Sequence, residues 1–369
     1  MSRLFSPISV RELRLENRIV VSPMCQYSAH EGSATDWHLM HLGQFAVSGV
    51  GMVIMEMTNV EPRGRITPRC MGLWSDENEA ALKRVVAFCK ERGNAKFAVQ
   101  LAHAGRKAST LPPWEGRRAL SDADGGWTPL APSAIASGEG SLKPRPLTAD
   151  EIVGLTQAFA DSARRADRAG VEAIELHAAH GYLLHQFLSP LSNRRDDRYG
   201  GSLENRMRFP LDVFRAVRAA WPDQKPVGVR VSATDWAAGG WDLDQTLAFA
   251  HALKKLGCDW IDVSSGGLVK NQVLETGPGY QVPFAEAVRR ETGLATMAVG
   301  MITEPRQAEE IIASGKADLV ALARAMLYDP RWAWHAAHEL GADVSYPNQY
   351  LRCRPWVRND IFAEREASR

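Results

Sequence analysis

Cysteine is scarce in this chain, and no two cysteines stand as a CxxC pair. Cys25, Cys70, Cys89, Cys258 and Cys353 are odd in number and widely spaced. That argues against a disulfide framework, a zinc knuckle and an iron-sulfur cluster, and it fits a reducing cytoplasm. An excess of charge is lacking as well. With 44 Lys+Arg against 43 Asp+Glu the formal charge is +1, so neither nucleic acid nor a strongly acidic partner is indicated, and a small-molecule substrate is the expected partner. No uncharged apolar run reaches the roughly 18 residues of a membrane span. The opening MSRLFSPISV has no charged segment followed by a long apolar one, so an unprocessed cytoplasmic protein with no membrane association is expected. A GxGxxG turn is also missing after the first apolar run, which ends instead in SPMCQY, and this removes the usual mark of an open dinucleotide-binding sheet.

What the chain does have is a rhythm. Across 369 residues, 45% of them hydrophobic, eight short apolar runs recur: 18–24, 51–57, 96–102, 172–178, 226–232, 258–264, 295–300 and 318–323. They are too short for buried helices and rich in Val and Ile, so they predict buried strands. Helical patterns lie between them. Thr148 and Glu151 form a possible capping box ahead of IVGLTQAFADSARRADRAG, with Gly170 at the left-handed stop, and Ser75 opens DENEAALKRVVAFCKER, which ends at Gly93. Eight strand-helix units close most economically as an α/β protein of the (β/α)8 TIM barrel class. Residues 1–369 are accordingly expected to form a single barrel. Residues 104–147, rich in Pro, Gly and Trp, break the rhythm after the third strand and are expected to form a capping loop over the catalytic face. A linker between two domains is the alternative, but neither side holds a complete strand set.

Barrel enzymes work at the C-terminal ends of their strands. Those ends supply Met24 and Cys25, Met57 and Thr58, Gln100 with His103, His177 with His180, Arg230, Ser264 to Gly267, Gly300 and Arg324. Gly300 and Arg324 follow strands seven and eight, where barrels commonly hold a phosphate; the plain alternative is that Gly300 ends a strand and Arg324 pairs with Asp329. Arg230 points to the mouth, either paired with Asp235 or Glu175 or facing negative charge on a cofactor ring, with the Gln100 amide beside it. In ELHAAHGYLLHQFLSP, His177 and His180 are three apart rather than the four usual for helical zinc ligands, and with His103 they leave a metal site open as an alternative. The other use of the pair is to donate hydrogen bonds to one substrate oxygen, with Tyr182 nearby as a proton donor.

Taken together, NRIVVSPMCQYSA, QLAHAGRKAS, ELHAAHGYLLHQFLSPLSNRRDDRYGGSLENRMRF, RVSATDWAAGGW and QYLR resemble the Old Yellow Enzyme family of flavin-dependent ene reductases, in particular its thermophilic-like subgroup and the bacterial xenobiotic reductases. The resemblance implies FMN as cofactor, with NADPH or NADH as the transient reductant. Pro23, Met24, Cys25 and Met57 would line the flavin ring, Gln100 and Arg230 its pyrimidine edge, and Gly300, Ala323 and Arg324 the phosphate. His177 and His180 would bind the electron-withdrawing group or a phenol, Tyr27 would help position the substrate, and Tyr182 would protonate it. The implied reaction is reduction of an activated C=C bond in an α,β-unsaturated carbonyl or nitro compound, by hydride from flavin N5 and a proton from Tyr182 on the opposite face. A homodimer or homotetramer is implied too, with Arg352 entering a neighbouring site and residues 350–369 as a possible interface. Met57 stands where relatives often have a small residue, and Ala323 where glycine is common. Set against this reading are a metal-dependent barrel hydrolase using the three histidines and a flavin-binding protein without activity. A dienoyl-CoA reductase would need a cysteine cluster, and a dihydrouridine synthase a basic face.

Overall fold

The computed structural model describes residues 2–355. Eight parallel strands close into a barrel in sequence order. They are β1 (Ile19–Val21), β2 (Met52–Asn59), β3 (Lys96–Ala102), β4 (Ala173–Ala178), β5 (Val227–Ser232), β6 (Trp260–Ser264), β7 (Ala295–Ala298) and β8 (Leu319–Leu322). Each falls within or against one of the eight apolar runs, and β8 pairs back onto β1 through Val320 and Ile19.

Alternation along the strands decides the interior. Val20, Met52, Ile54, Ala98, Ala173, Trp260, Met297, Leu319 and Ala321 fill the lower barrel, while Ile19, Val21, Val53, Phe97, Val99 and Ile174 belong to the larger core between strands and helices. Gly228 takes an inward place because Trp260 fills the space beside it. A Cβ at Gly228 would lie 2.0 Å from Trp260 Cε2. An antiparallel hairpin, Ile8–Val10 with Leu13–Leu15, closes the floor. Leu15 joins the interior cluster, and Arg11 ties the hairpin to the bottom loops through Asp259 at 2.7 Å and the Asp223 carbonyl at 2.6 Å.

Helices α1 (Asp36–Ala46), α2 (Asp76–Arg92) and α3 (Ala149–Arg168) cover the first half of the barrel. The capping box at α3 forms as expected, with Thr148 Oγ1 accepting from the Glu151 N–H at 3.2 Å and Glu151 Oε2 from the Thr148 N–H at 2.9 Å. Gly170 is left-handed at φ +85°. Gly93 ends α2 for a different reason. Its φ is −132°, open to any residue, but a Cβ there would meet the Ala46 carbonyl oxygen at 2.0 Å. Close approach, not handedness, requires glycine. After β4 come α4 (Leu183–Leu188), α5 (Leu203–Ala220), α6 (Leu243–Lys255), α7 (Val282–Thr292), α8 (Pro305–Ala313), α9 (Arg324–Tyr328) and α10 (Trp332–Glu339). Among the described residues no helix is long and apolar enough to cross a membrane.

Residues 104–147 contain three short 3-10 turns and a two-residue pairing of Leu130–Ala131 with Arg145–Pro146. The beginning of this segment is tied to the loop after β6, where Arg106 Nη2 donates to the Leu268 carbonyl at 2.8 Å.

Two glycines separate packing from chain entropy. Gly228→Ala is expected to destabilise the chain by about 2 kcal/mol through overpacking against Trp260. Gly154→Ala, inside α3 with nothing near its added Cβ, is expected to stabilise by about 0.5–1 kcal/mol. Urea unfolding of both variants checks the opposite signs.

Candidate active site

Above the apolar floor, the same inward alternation places polar groups on four neighbouring strands. Gln100 on β3 is in register with Glu175 on β4, and His177 on β4 is in register with Arg230 on β5 and, through it, with Asp262 on β6. Gln100 Nε2 donates to Glu175 Oε1 at 2.8 Å, and Arg230 Nε lies 3.2 Å from Asp262 Oδ2. This corrects the expected partner of Arg230. Glu175 is spent on Gln100, and Asp235 is turned away to His185 Nε2 at 3.0 Å, Ser189 Oγ at 2.6 Å and the Trp241 N–H at 2.7 Å. Burial alone would raise the Asp235 carboxyl, but these partners together hold it below its usual range.

The histidine pair stands on a turn that the sequence motif explains. The Tyr182 N–H donates to the Ala179 carbonyl at 3.1 Å, and both central residues are left-handed, His180 at φ +56° and Gly181 at φ +71°. Such a turn favours glycine. At Gly181 space demands it too, since a Cβ would meet the Gly267 carbonyl oxygen at 2.5 Å. The turn is locked from several sides. The His180 N–H donates to Ser232 Oγ at 2.9 Å, His180 Nε2 contacts Ser264 Oγ at 2.7 Å, and the Gly181 N–H donates to His185 Nδ1 at 2.9 Å. Lys107 Nζ bridges the carbonyls of His180 and Gly267; burial, then the neighbouring Arg106, pushes its pKa down to about 8. His177 packs edge-on against His180, with centroids 5.2 Å apart, and against Tyr182 at 4.8 Å. Burial and then Arg230 hold both imidazoles well below their usual pKa, so they are neutral at physiological pH, while burial raises the Tyr182 phenol and keeps it protonated.

Pro23, Met24, Cys25 and Tyr27 follow β1 and are all half-buried. Cys25, Tyr27 and Tyr182 pack with buried Met57, so these four expected site residues do come together. A register shift in β2 makes this possible. Met55 pairs with Val99 and Met57 with Gln100, leaving Glu56 between them unpaired. The bulge turns Met57 inward and Glu56 away from the barrel. Glu56 Oε2 accepts from the Gln26 N–H at 3.0 Å and Oε1 lies 3.1 Å from His38 Nε2 on α1. Tyr27 itself is left-handed at φ +49°, so this buried carboxylate holds a strained loop in place. Burial, then Glu56, raises the Cys25 thiol well above its usual range.

Gly300, two residues past the end of β7, has φ +119°, and a Cβ there would lie 2.7 Å from Gln281 Nε2. Ala323 is half-buried, and Arg324 opens α9 with its side chain exposed. Arg324 makes no pair with Asp329, whose Oδ2 meets His335 Nδ1 at 2.5 Å. His103 is not aimed at the other two histidines. Its Nε2 lies 3.0 Å from Glu61 Oε1 and its Nδ1 accepts from the Gly105 N–H at 2.9 Å, and among the described residues no three His, Cys, Asp or Glu side chains converge as metal ligands. Arg352 is exposed on the 3-10 turn Asn348–Cys353. Of the expected interface at 350–369, residues 356–369 lie outside the described residues.

The profile of the NADH:flavin oxidoreductase / NADH oxidase family matches residues 3–343. The chain belongs to that family. Its match to the NADPH dehydrogenase of Geobacillus sp. (strain WCH70) is 47% identical over 351 residues, covering 95% of this chain and 98% of the relative. With the NADPH dehydrogenase of Bacillus subtilis (strain 168) it shares 45% over 352 residues, covering 95% and 98%. Among solved structures, morphinone reductase superposes with a TM-score of 0.77 at 28% identity, covering 94% of this chain and 92% of that one, and its complex with tetrahydroNAD gives 0.74. As a member of this NADH:flavin oxidoreductase family, the Old Yellow Enzyme family of the sequence reading, the protein is an FMN-dependent oxidoreductase.

The barrel mouth fits a flavin on its own terms. Among the described residues Arg230 donates no hydrogen bond and its Nε is buried without a hydrogen-bond acceptor, while Gln100 has turned its nitrogen inward to Glu175 and left its oxygen unused. A polar ring edge would satisfy both. Sequence reading singled out Ser264 as a strand end but missed the other residues that hold this arrangement: His185, Gln186, Lys107, Ser232 and the Glu56–His38 pair. His185 and Gln186 were visible in GYLLHQF, but their partners Asp235 and Ala104 lie far off in the chain.

With a thiol pKa held above the usual range, Cys25 should react slowly despite its partial exposure. In flavin-free protein, its alkylation by iodoacetamide is expected to rise about tenfold per pH unit from neutral pH past pH 9 without a plateau. Peptide mass spectrometry follows the site, and a plateau below pH 9 would show a stabilised thiolate instead.

Proposed function

We propose that the protein reduces the activated C=C bond of α,β-unsaturated carbonyl or nitro compounds with electrons from NADPH or NADH. The observation that carries this reading is a protonated phenol, Tyr182, packed 4.8 Å from the ring of a neutral histidine that is itself paired with a second one. A site that only stored flavin would need neither. The NADPH dehydrogenases and the tetrahydroNAD complex described above support a nicotinamide as reductant.

Gln100 and Arg230 are assigned to the pyrimidine edge of FMN, Pro23, Met24, Cys25 and Met57 to its ring, and Gly300, Ala323 and Arg324 to its phosphate. Arg324 is exposed and has no partner among the described residues, which leaves its guanidinium available to grip a phosphate. When bound, FMN supplies a hydride to the substrate's β carbon. The protein's part is to hold the substrate and manage charge and proton. His177 Nδ1 accepts from the Ala179 N–H at 3.2 Å, which places the hydrogen of the neutral ring on Nε2. The Ser264 hydroxyl lies 2.7 Å from His180 Nε2 and 3.3 Å from Gln281 Oε1, an oxygen that Ser265 Oγ engages more closely at 2.6 Å; donation to the nearer His180 Nε2 would keep the second hydrogen on Nδ1. Two imidazole N–H groups then point at one substrate oxygen and stabilise the charge that builds on it. Tyr182 gives its proton to the α carbon, and Tyr27 flanks the substrate. Residues 104–147 serve as the cap that excludes water. A homodimer or homotetramer, with Arg352 reaching a neighbouring site, belongs to the same proposal.

Anaerobic visible spectra test the reading. Flavin absorbance is expected to bleach with NADPH and return with 2-cyclohexenone; a colourless protein after FMN reconstitution would sink it. Tyr182→Phe is expected to slow the return on the order of 10²-fold or more, the usual worth of a positioned acid, and to leave bleaching nearly unchanged. Equal slowing of both steps would remove Tyr182 from the donor role. His177→Ala is expected to weaken phenol binding by at least tenfold, on the scale of one lost hydrogen bond to a buried group, read from the flavin's spectral shift.

A further inference from the structure

Two carboxylates and one guanidinium share the upper barrel. Glu175 and Asp262 are 0% exposed, and Arg230 is 7% exposed. The groups have unequal partners. Asp262 has the Arg230 ion pair at 3.2 Å and no hydrogen bond to either oxygen. Glu175 has no ion pair; its oxygens face the Gln100 amide nitrogen at 2.8 Å and the Trp260 indole N–H at 3.5 Å. Neutral donors of this kind do not offset an ionised carboxylate removed from water. If both acids were ionised, the cluster would carry one uncompensated negative charge above an apolar floor.

The charged groups that act on Glu175 are Asp262 from β6 and Arg230 from β5; Gln100 from β3 and Trp260 from β6 are neutral, as is His177 two residues along its own strand. Burial and then the charge of Asp262 drive the Glu175 carboxyl upward, and they outweigh Arg230. Two acids coupled in this way hold a proton as a pair.

We propose that Glu175 is a positioning residue for the flavin: it keeps its proton at neutral pH, leaves Asp262 as the one counter-charge to Arg230, and fixes the Gln100 amide with its nitrogen inward and its oxygen toward the cofactor. The inference rests on the placement of the ring edge at Gln100 and Arg230. Reduction adds negative charge to the ring, so a neutral Glu175 leaves the Arg230 charge available to it. Loss of the Glu175 proton at alkaline pH adds a like charge beneath the ring and lowers its reduction potential further than the flavin's own protons do.

Infrared spectra and spectroelectrochemical titration of the holoenzyme test this together. The wild-type protein at neutral pH is expected to show the C=O stretch of a buried protonated carboxylic acid that fades at alkaline pH, and Glu175→Gln is expected to lack it. Because glutamine mimics the neutral acid, the variant should keep the wild-type potential at neutral pH and lose only the additional alkaline fall. Absence of the band in wild-type protein, or its persistence in Glu175→Gln, would overturn the proposal, as would a raised potential for the variant at neutral pH. The wild-type band decides the protonation even if the variant does not fold. A band lost in Glu175→Gln with identical potentials at every pH would overturn the ring-edge placement instead, and with it the role given to Glu175.

Discussion

The ion pair between Arg230 and Asp262 lies inside a closed barrel whose floor is sealed by Trp260, Met52, Met297 and the N-terminal hairpin. In such a place a cation needs a fixed counter-charge, and a cation whose outer nitrogens remain unused needs something else as well. The apolar lower half and the polar upper half therefore depend on each other. The floor keeps water away from the ion pair and strengthens it, while the pair holds a positive charge directed at the mouth. One register step along β4, β5 and β6 separates the two regimes.

Much of this was legible because strand alternation is a local property. The eight runs, the capping box at Thr148 and the left-handed Gly170 could all be read without knowing what lay opposite. Gln100, His177 and Arg230 were legible for the same reason, as inward places near strand ends. Partnerships across the barrel were not. Asp235 and Asp262 are both acids close to an apolar run, and only the register β5 shares with β6 selects Asp262 for Arg230. Gly93 shows the same limit, since its requirement comes from the Ala46 carbonyl, a neighbour that no pattern near Gly93 reveals.

The catalytic face is assembled from loops, yet its geometry is held by backbone carbonyls captured by cations. Arg106 takes the Leu268 carbonyl, and Lys107 takes those of His180 and Gly267. Both cations come from the start of the long segment after β3, so this segment is joined to the turn carrying the histidines and to the loop after β6. The histidine turn, with two consecutive left-handed residues, is a conformation that local sequence alone sustains poorly, and these donors supply the missing constraint.

The extra residue at Glu56 makes β2 unusual in how it can change over time. Surface loops of a barrel accept insertions and deletions with little consequence, because their length is free. Removing Glu56, the one residue between Met55 and Met57, would restore continuous pairing with β3 and at the same time delete the carboxylate that tethers the loop carrying Cys25 and Tyr27. A strand count of residues, and not only their identity, is thus part of this site's specification. Any lineage that lost the bulge would have to supply another tether for the β1 loop in the same step.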